Sequence, residues 1–98
     1  MIQERKTSGI VWFRRTSTDG TAYDFRINGW DRWALENLIH AGWRGCSCFS
    51  HPRQNWSLYV LHLRRLGIQI VTHMEPHFGD FPGTHPRYVL ADKVVRLK

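Results

Sequence analysis

The sequence predicts an α+β domain with a β-hairpin at the start, helices in the middle and a second hairpin towards the end. Two observations carry this. Near the start, and again after residue 67, apolar and polar residues alternate, the period of a half-buried strand. Between those segments apolar residues recur every three or four positions, the period of a helix packed on one side. A chain of 98 residues, 42% of them hydrophobic, suits one domain (residues 1–98) with a modest core of its own.

Residues 1–9 are polar and are expected to fray. Ile10-Val11-Trp12-Phe13-Arg14-Arg15 is rich in β-branched and aromatic residues and predicts a strand. Ser17-Thr18-Asp19-Gly20 predicts a turn. Tyr23, Phe25 and Ile27 alternate with Asp24 and Arg26 and complete the hairpin. Asp31 is the expected N-cap of a first helix, with Ala34, Leu35, Leu38 and Ile39 on its apolar stripe and Gly42 closing it. A short second helix of about one turn is expected over Cys46–His51, punctuated by Pro52. Arg53–Leu66 is the clearest helix: Trp56, Val60 and Leu63 fall at i, i+4 and i+7, and Gly67 ends it. Ile68, Ile70 and Thr72 alternate with Gln69, Val71 and His73 in a strand. Glu75 to Pro86, with two glycines and three prolines, is expected to be a loop. Arg87-Tyr88-Val89-Leu90 returns antiparallel, and Val94, Val95 and Leu97 add a last edge strand to the same hairpin.

This order is the layout of a winged helix-turn-helix: an N-terminal β-hairpin, three helices with the second short, and a C-terminal wing of two to three strands. In that layout the helix before the second hairpin, residues 53–66, is the recognition helix, and the hairpin loop, residues 75–87, is the wing.

Trp56-Ser57-Leu58-Tyr59-Val60-Leu61-His62-Leu63-Arg64-Arg65-Leu66-Gly67-Ile68 resembles the YVxxLRxxGxxI segment of small bacterial and phage winged helix-turn-helix proteins of the alphaproteobacterial prophage type. Gly83-Thr84-His85-Pro86-Arg87-Tyr88-Val89-Leu90 is similar to their G-x-H-x-RYVL ending, and Ala34 to Gly42 to their first helix, ALxxLIxAG. The resemblance covers about residues 30–95. It implies a winged helix that binds DNA, and it names no target sequence. The stretch Arg44–Pro52, with its CxC, departs from an ordinary helix-turn-helix sequence.

The formal charge is +6, and its distribution agrees with a polyanionic partner. The excess is +2 over residues 1–52 and +4 over residues 53–98, which also hold four of the six histidines. The partner expected is double-stranded DNA, and the protein a small phage or prophage-type transcriptional regulator. Arg53, Gln54, Asn55 and Ser57 sit where a helix enters the major groove, with side chains suited to guanine, adenine and phosphate. His62 and Arg65 follow on the outward side, Arg65 as a phosphate ligand, while Arg64 is expected to lie along the sheet. His77, His85 and Arg87 flank the wing, where basic groups suit a narrow groove. A structural alternative is that His77 and His85 bond each other or Glu75 across the hairpin.

Other functions are weaker. Leu58, Leu61, Phe78 and Phe81 would serve a protein-binding winged helix instead, an adaptor or a phage-encoded inhibitor of a host complex. A homodimer on two half-sites is also compatible with a chain this small. Phe13, Tyr23 and Phe25 would be the aromatics of a single-strand stacking platform. Cys46, Cys48 and His51 lack the usual spacing of a zinc site, and His73 and His77 lie over 10 Å apart if the strand is extended. With no GxSxG, Walker or HExxH pattern, the chain is expected to be non-catalytic, with no metal and no cofactor. No secretory signal and no membrane-length apolar run is visible, so a cytoplasmic protein without membrane contact is expected.

Overall fold

The computed structural model of the chain describes residues 9–97. The fraying expected of residues 1–8 lies outside the described residues. Gly9, the last residue of that expected tail, is held: its carbonyl accepts a bond from Arg32 Nη1 at 2.9 Å.

The elements are β1 (Val11–Thr16), β2 (Ala22–Ile27), α1 (Gly29–Ala41), a 3-10 turn (Gly42–Arg44), α2 (Trp56–Arg65), β3 (Ile70–His77), β4 (Gly83–Leu90) and β5 (Lys93–Arg96). The fold is α+β, with antiparallel hairpins on either side of the helices. Asn28, not Asp31, occupies the N-cap of α1, and Asp31 sits in its first turn, where a carboxylate favours the positive end of the helix. Gly42 ends α1 with a φ of 58°, a conformation that costs a glycine little.

The short helix expected over Cys46–His51 does not form, so there are two α-helices rather than three. Two local forces explain this. Cys46 joins the outer edge of β4, exchanging backbone bonds of 2.8 Å with Tyr88 in both directions, which draws the chain out straight. Ser47 then folds the next residues into a turn: its hydroxyl accepts from the amides of Phe49 and Ser50, each at 3.2 Å. Serine side chains bonded in this way compete with helix.

The strands form two sheets. In the first, β1 is central, in the order β2-β1-β5. The second is the ribbon β3-β4, paired from Ile70 with Leu90 to His77 with Gly83. Most of the loop expected over residues 75–86 is therefore strand, and the connection shrinks to residues 78–82. Proline is tolerated in a two-stranded ribbon because each strand has a side that makes no ladder bonds. The last strand was expected in the wing, but β5 crosses to the other sheet and pairs with β1 from Phe13 with Arg96 to Thr16 with Lys93. The wing edge it would need is taken by Cys46. Asp92, in the turn before β5, directs the crossing: its carboxylate accepts from Arg15 of β1 and from the Gln69 amide at 2.7 Å.

One core joins these layers. Phe13 and Phe25, ring centres 5.8 Å apart, face Leu35 and Leu38 of α1, Val60 and Leu63 of α2, and Ile68 and Val94. An aromatic chain then fixes the start of α2. Trp56 lies 5.2 Å from Trp33, 6.4 Å from Tyr59 and 6.2 Å from Tyr88 of the wing. Its buried indole N–H donates to the His51 carbonyl at 2.9 Å, so no polar atom is left unpaired.

Candidate nucleic-acid interface

Helix α2 turns Trp56, Tyr59, Val60 and Leu63 inward. At 100° per residue, Leu58, Leu61 and Arg65 lie opposite that buried stripe, with Ser57 and His62 at the margins. All but His62 are exposed, and His62 is half-buried. His62 Nδ1 lies 3.0 Å from both carboxylate oxygens of Asp31, which ties the middle of α2 to the start of α1. Arg64 donates to the Ile70 carbonyl at 2.6 Å and to Thr72 Oγ1 at 2.9 Å, so its guanidinium lies along the wing. Arg65, in the same last turn, makes no such bond and points outward.

The predicted helix began at Arg53, but α2 begins at Trp56. Asn55 has a φ of 70°, a left-handed conformation that a helix does not contain. Arg53, Gln54 and Asn55 therefore stand in the turn just before the helix, all exposed. Arg53 is nonetheless well positioned. Its guanidinium carbon sits 3.4 Å from the ring centre of Trp30, and its Nε is 3.4 Å from the Tyr59 hydroxyl. Stacking on an indole orients the planar fork while leaving its outer N–H donors exposed. No sequence pattern pairs Arg53 with Trp30, which stands one residue into α1.

The wing's polar residues are bonded mainly to one another. Arg87 grips Glu75 with two bonds, Nε to Oε2 at 2.8 Å and Nη2 to Oε1 at 2.7 Å. His85 is buried, and its Nε2 lies 2.8 Å from Glu75 Oε1. A carboxylate only accepts, so Nε2 donates. In the neutral ring His85 Nδ1 is then the acceptor for Nδ1–H of His77, 3.0 Å away. The cross-hairpin alternative for this pair therefore describes the contact found. The Arg87 guanidinium, and secondarily the bond from His85, hold the Glu75 carboxyl down at about 2. Arg87 also donates to the Arg44 carbonyl at 3.0 Å, fastening the ribbon to the turn after α1. Phe49, a residue no sequence pattern singled out, covers the imidazoles, 4.7 Å from His85 and 5.5 Å from His77. This wiring builds His85 and Arg87 into the frame of the wing. The wing tip presents Phe78 and Phe81, 84% and 88% exposed.

Burial bears on two other groups of residues. Phe13 and Phe25 are core residues, and the Tyr23 hydroxyl donates to the Leu66 carbonyl, so these three do not form an open stacking face. Cys46 is buried 4.0 Å from His51 Nε2, its thiol pushed up to about 11 by that burial, while Cys48 is exposed. Among the described residues no helix is long and apolar enough to cross a membrane.

A family model described as a winged helix domain matches residues 24–98. Neither the curated proteins nor the solved structures searched contain a match to the chain.

Proposed function

The chain belongs to the winged helix domain family, and we propose that it binds double-stranded DNA with α2 against the major groove and the wing beside it. The observation that supports this most is the exposed arc of α2. It is about 15 Å long, it fits a groove about 12 Å wide, and cations stand at both ends. Arg53 and Arg65 are those cations, and among the described residues neither has a carboxylate partner. Gln54, Asn55 and Ser57 lie beside Arg53 and supply the hydrogen-bonding groups for base edges and phosphate. His62 and His77 are flanking contacts. His85 and Arg87 act by holding the wing. The reading assigns the protein the role of a small phage or prophage-type regulator in the cytoplasm, non-catalytic and without a cofactor. It reads long sites as a homodimer.

The test is fluorescence anisotropy with a mixed-sequence duplex at low salt. The affinity is expected to fall steeply as salt rises, and Arg65→Ala to weaken binding and flatten the slope by about one counterion. Absence of any salt-sensitive duplex binding at low salt overturns the proposal. A protein partner is the second reading, favoured by Leu58 and Leu61, 44% and 43% exposed, with Phe78 and Phe81 beyond them. A pull-down that survives nuclease treatment, together with no duplex binding, selects it.

A further inference from the structure

The sheet formed by β2, β1 and β5 has a face turned away from the core. Directly paired residues share a face in an antiparallel sheet. The pairs Phe13–Phe25 and Arg15–Tyr23 mark the inner side, and Trp12–Arg26 and Arg14–Asp24 mark the outer. Across the other border, Arg14 stands beside Val95 and Thr16 beside Lys93. The outer face thus carries an indole, three cations and one carboxylate. Trp12 is 46% exposed, and the Arg26 guanidinium lies 6.0 Å from its ring centre. Arg14 is held by Asp24 at 2.7 Å with half of its side chain still exposed. Among the described residues Arg26 and Lys93 have no carboxylate partner.

We infer that this face binds single-stranded nucleic acid, with Trp12 stacking on a base and Arg26, Arg14 and Lys93 receiving the neighbouring phosphates. The charge selects the occupant. The three cations come from three strands, and Arg26 and Lys93 stand opposite Trp12 and Thr16, four residues apart along β1, so they span about 16 Å, a polyanion track rather than a point. A duplex keeps its bases stacked inside and offers Trp12 no ring, whereas a single strand offers one at every nucleotide. A second copy of the chain would bring like charge against like. The surface is also separate from the α2 interface and does not depend on it. The family match starts at residue 24, within β2, so the central strand with Trp12 and Arg14 precedes the matched region.

The experiment uses the full chain with dye-labelled oligothymidylate and oligouridylate of about 20 nucleotides, and a duplex of similar length, at about 50 and about 200 mM salt. Both single strands are expected to bind in a salt-sensitive way, and a preference for one identifies the kind of strand favoured. Trp12→Ala should weaken single-strand binding about 10-fold or more, Trp12→Phe should restore much of it, and neither should change duplex affinity. Arg65→Ala should do the reverse. Circular dichroism melts check that the variants fold, as expected for an exposed position. Four results overturn the inference: no single-strand binding, no effect of Trp12→Ala, an equal loss for single strands and duplex, or equal binding of polyglutamate. Single-strand binding without duplex binding would instead sink only the α2 proposal.

Discussion

Glu75 receives three hydrogen bonds from two residues, and this makes it the most consequential carboxylate of the wing. Its pKa stands at about 2 in the folded chain against an ordinary 4.5. The unfolded chain therefore takes up the proton first as pH falls, and the stabilisation, complete above about pH 4.5, is lost down to about pH 2. Thermal midpoints followed across that range should drop in the wild type, and Glu75→Gln should remove this share of the drop, the two converging near pH 2. Gly45 is the other sensitive position. It has a φ of 69°, and an added Cβ would lie 2.4 Å from the Tyr88 carbonyl oxygen. Gly45→Ala should cost more than about 1 kcal/mol in urea denaturation. Gly20→Ala, at a φ of 89° but in open space, should cost less. The sequence offered a contact among His77, His85 and Glu75 only as an alternative to groove contact, because all three fall in the stretch read as a loop, where no alternation fixes a register. It offered no means of seeing Arg53 against Trp30, because that contact joins two elements with no shared period.

Helix α2 is held by four buried residues, of which Trp56 is the first. Trp56 touches Trp33 from α1, Tyr59 from its own helix and Tyr88 from the wing, and is 5% exposed. Trp56→Ala should therefore cost about 3–5 kcal/mol by chemical denaturation and lower duplex affinity through a loosened α2. Both long helices were legible because a one-sided apolar stripe repeats several times within each. The short element was not. Six residues from Cys46 hold too few turns to show a period, and Ser47 and the β4 edge decide their shape. The start of α2 was misplaced for a related reason: Arg53, Gln54 and Asn55 suit a first helical turn in composition, and only the backbone of Asn55 excludes it.

Charge distribution belongs to the molecule as a whole. Of the +6, the excess after residue 52 suggested one basic region. In the fold Arg53 and Arg65 stand at the α2 surface and Arg26 and Lys93 on the outer sheet face, while Arg14, Arg15, Arg32, Arg87 and Arg96 are in ion pairs. Neutralising the outer face with Arg26→Ser and Lys93→Ser should leave the salt dependence of duplex binding unchanged, which titrations at several salt concentrations will read. The destination of β5 was beyond sequence reasoning, because alternation identifies a strand but not its neighbour. The pairing of Phe13 with Arg96 closes a loop of about 80 residues, the kind of long-range contact that slows folding. On a ribosome β1 and β2 emerge before β5, so one side of β1 has no partner until Lys93–Arg96 are made. Until then the nascent hairpin displays an unpaired edge, and sheet completion waits for translation to reach β5.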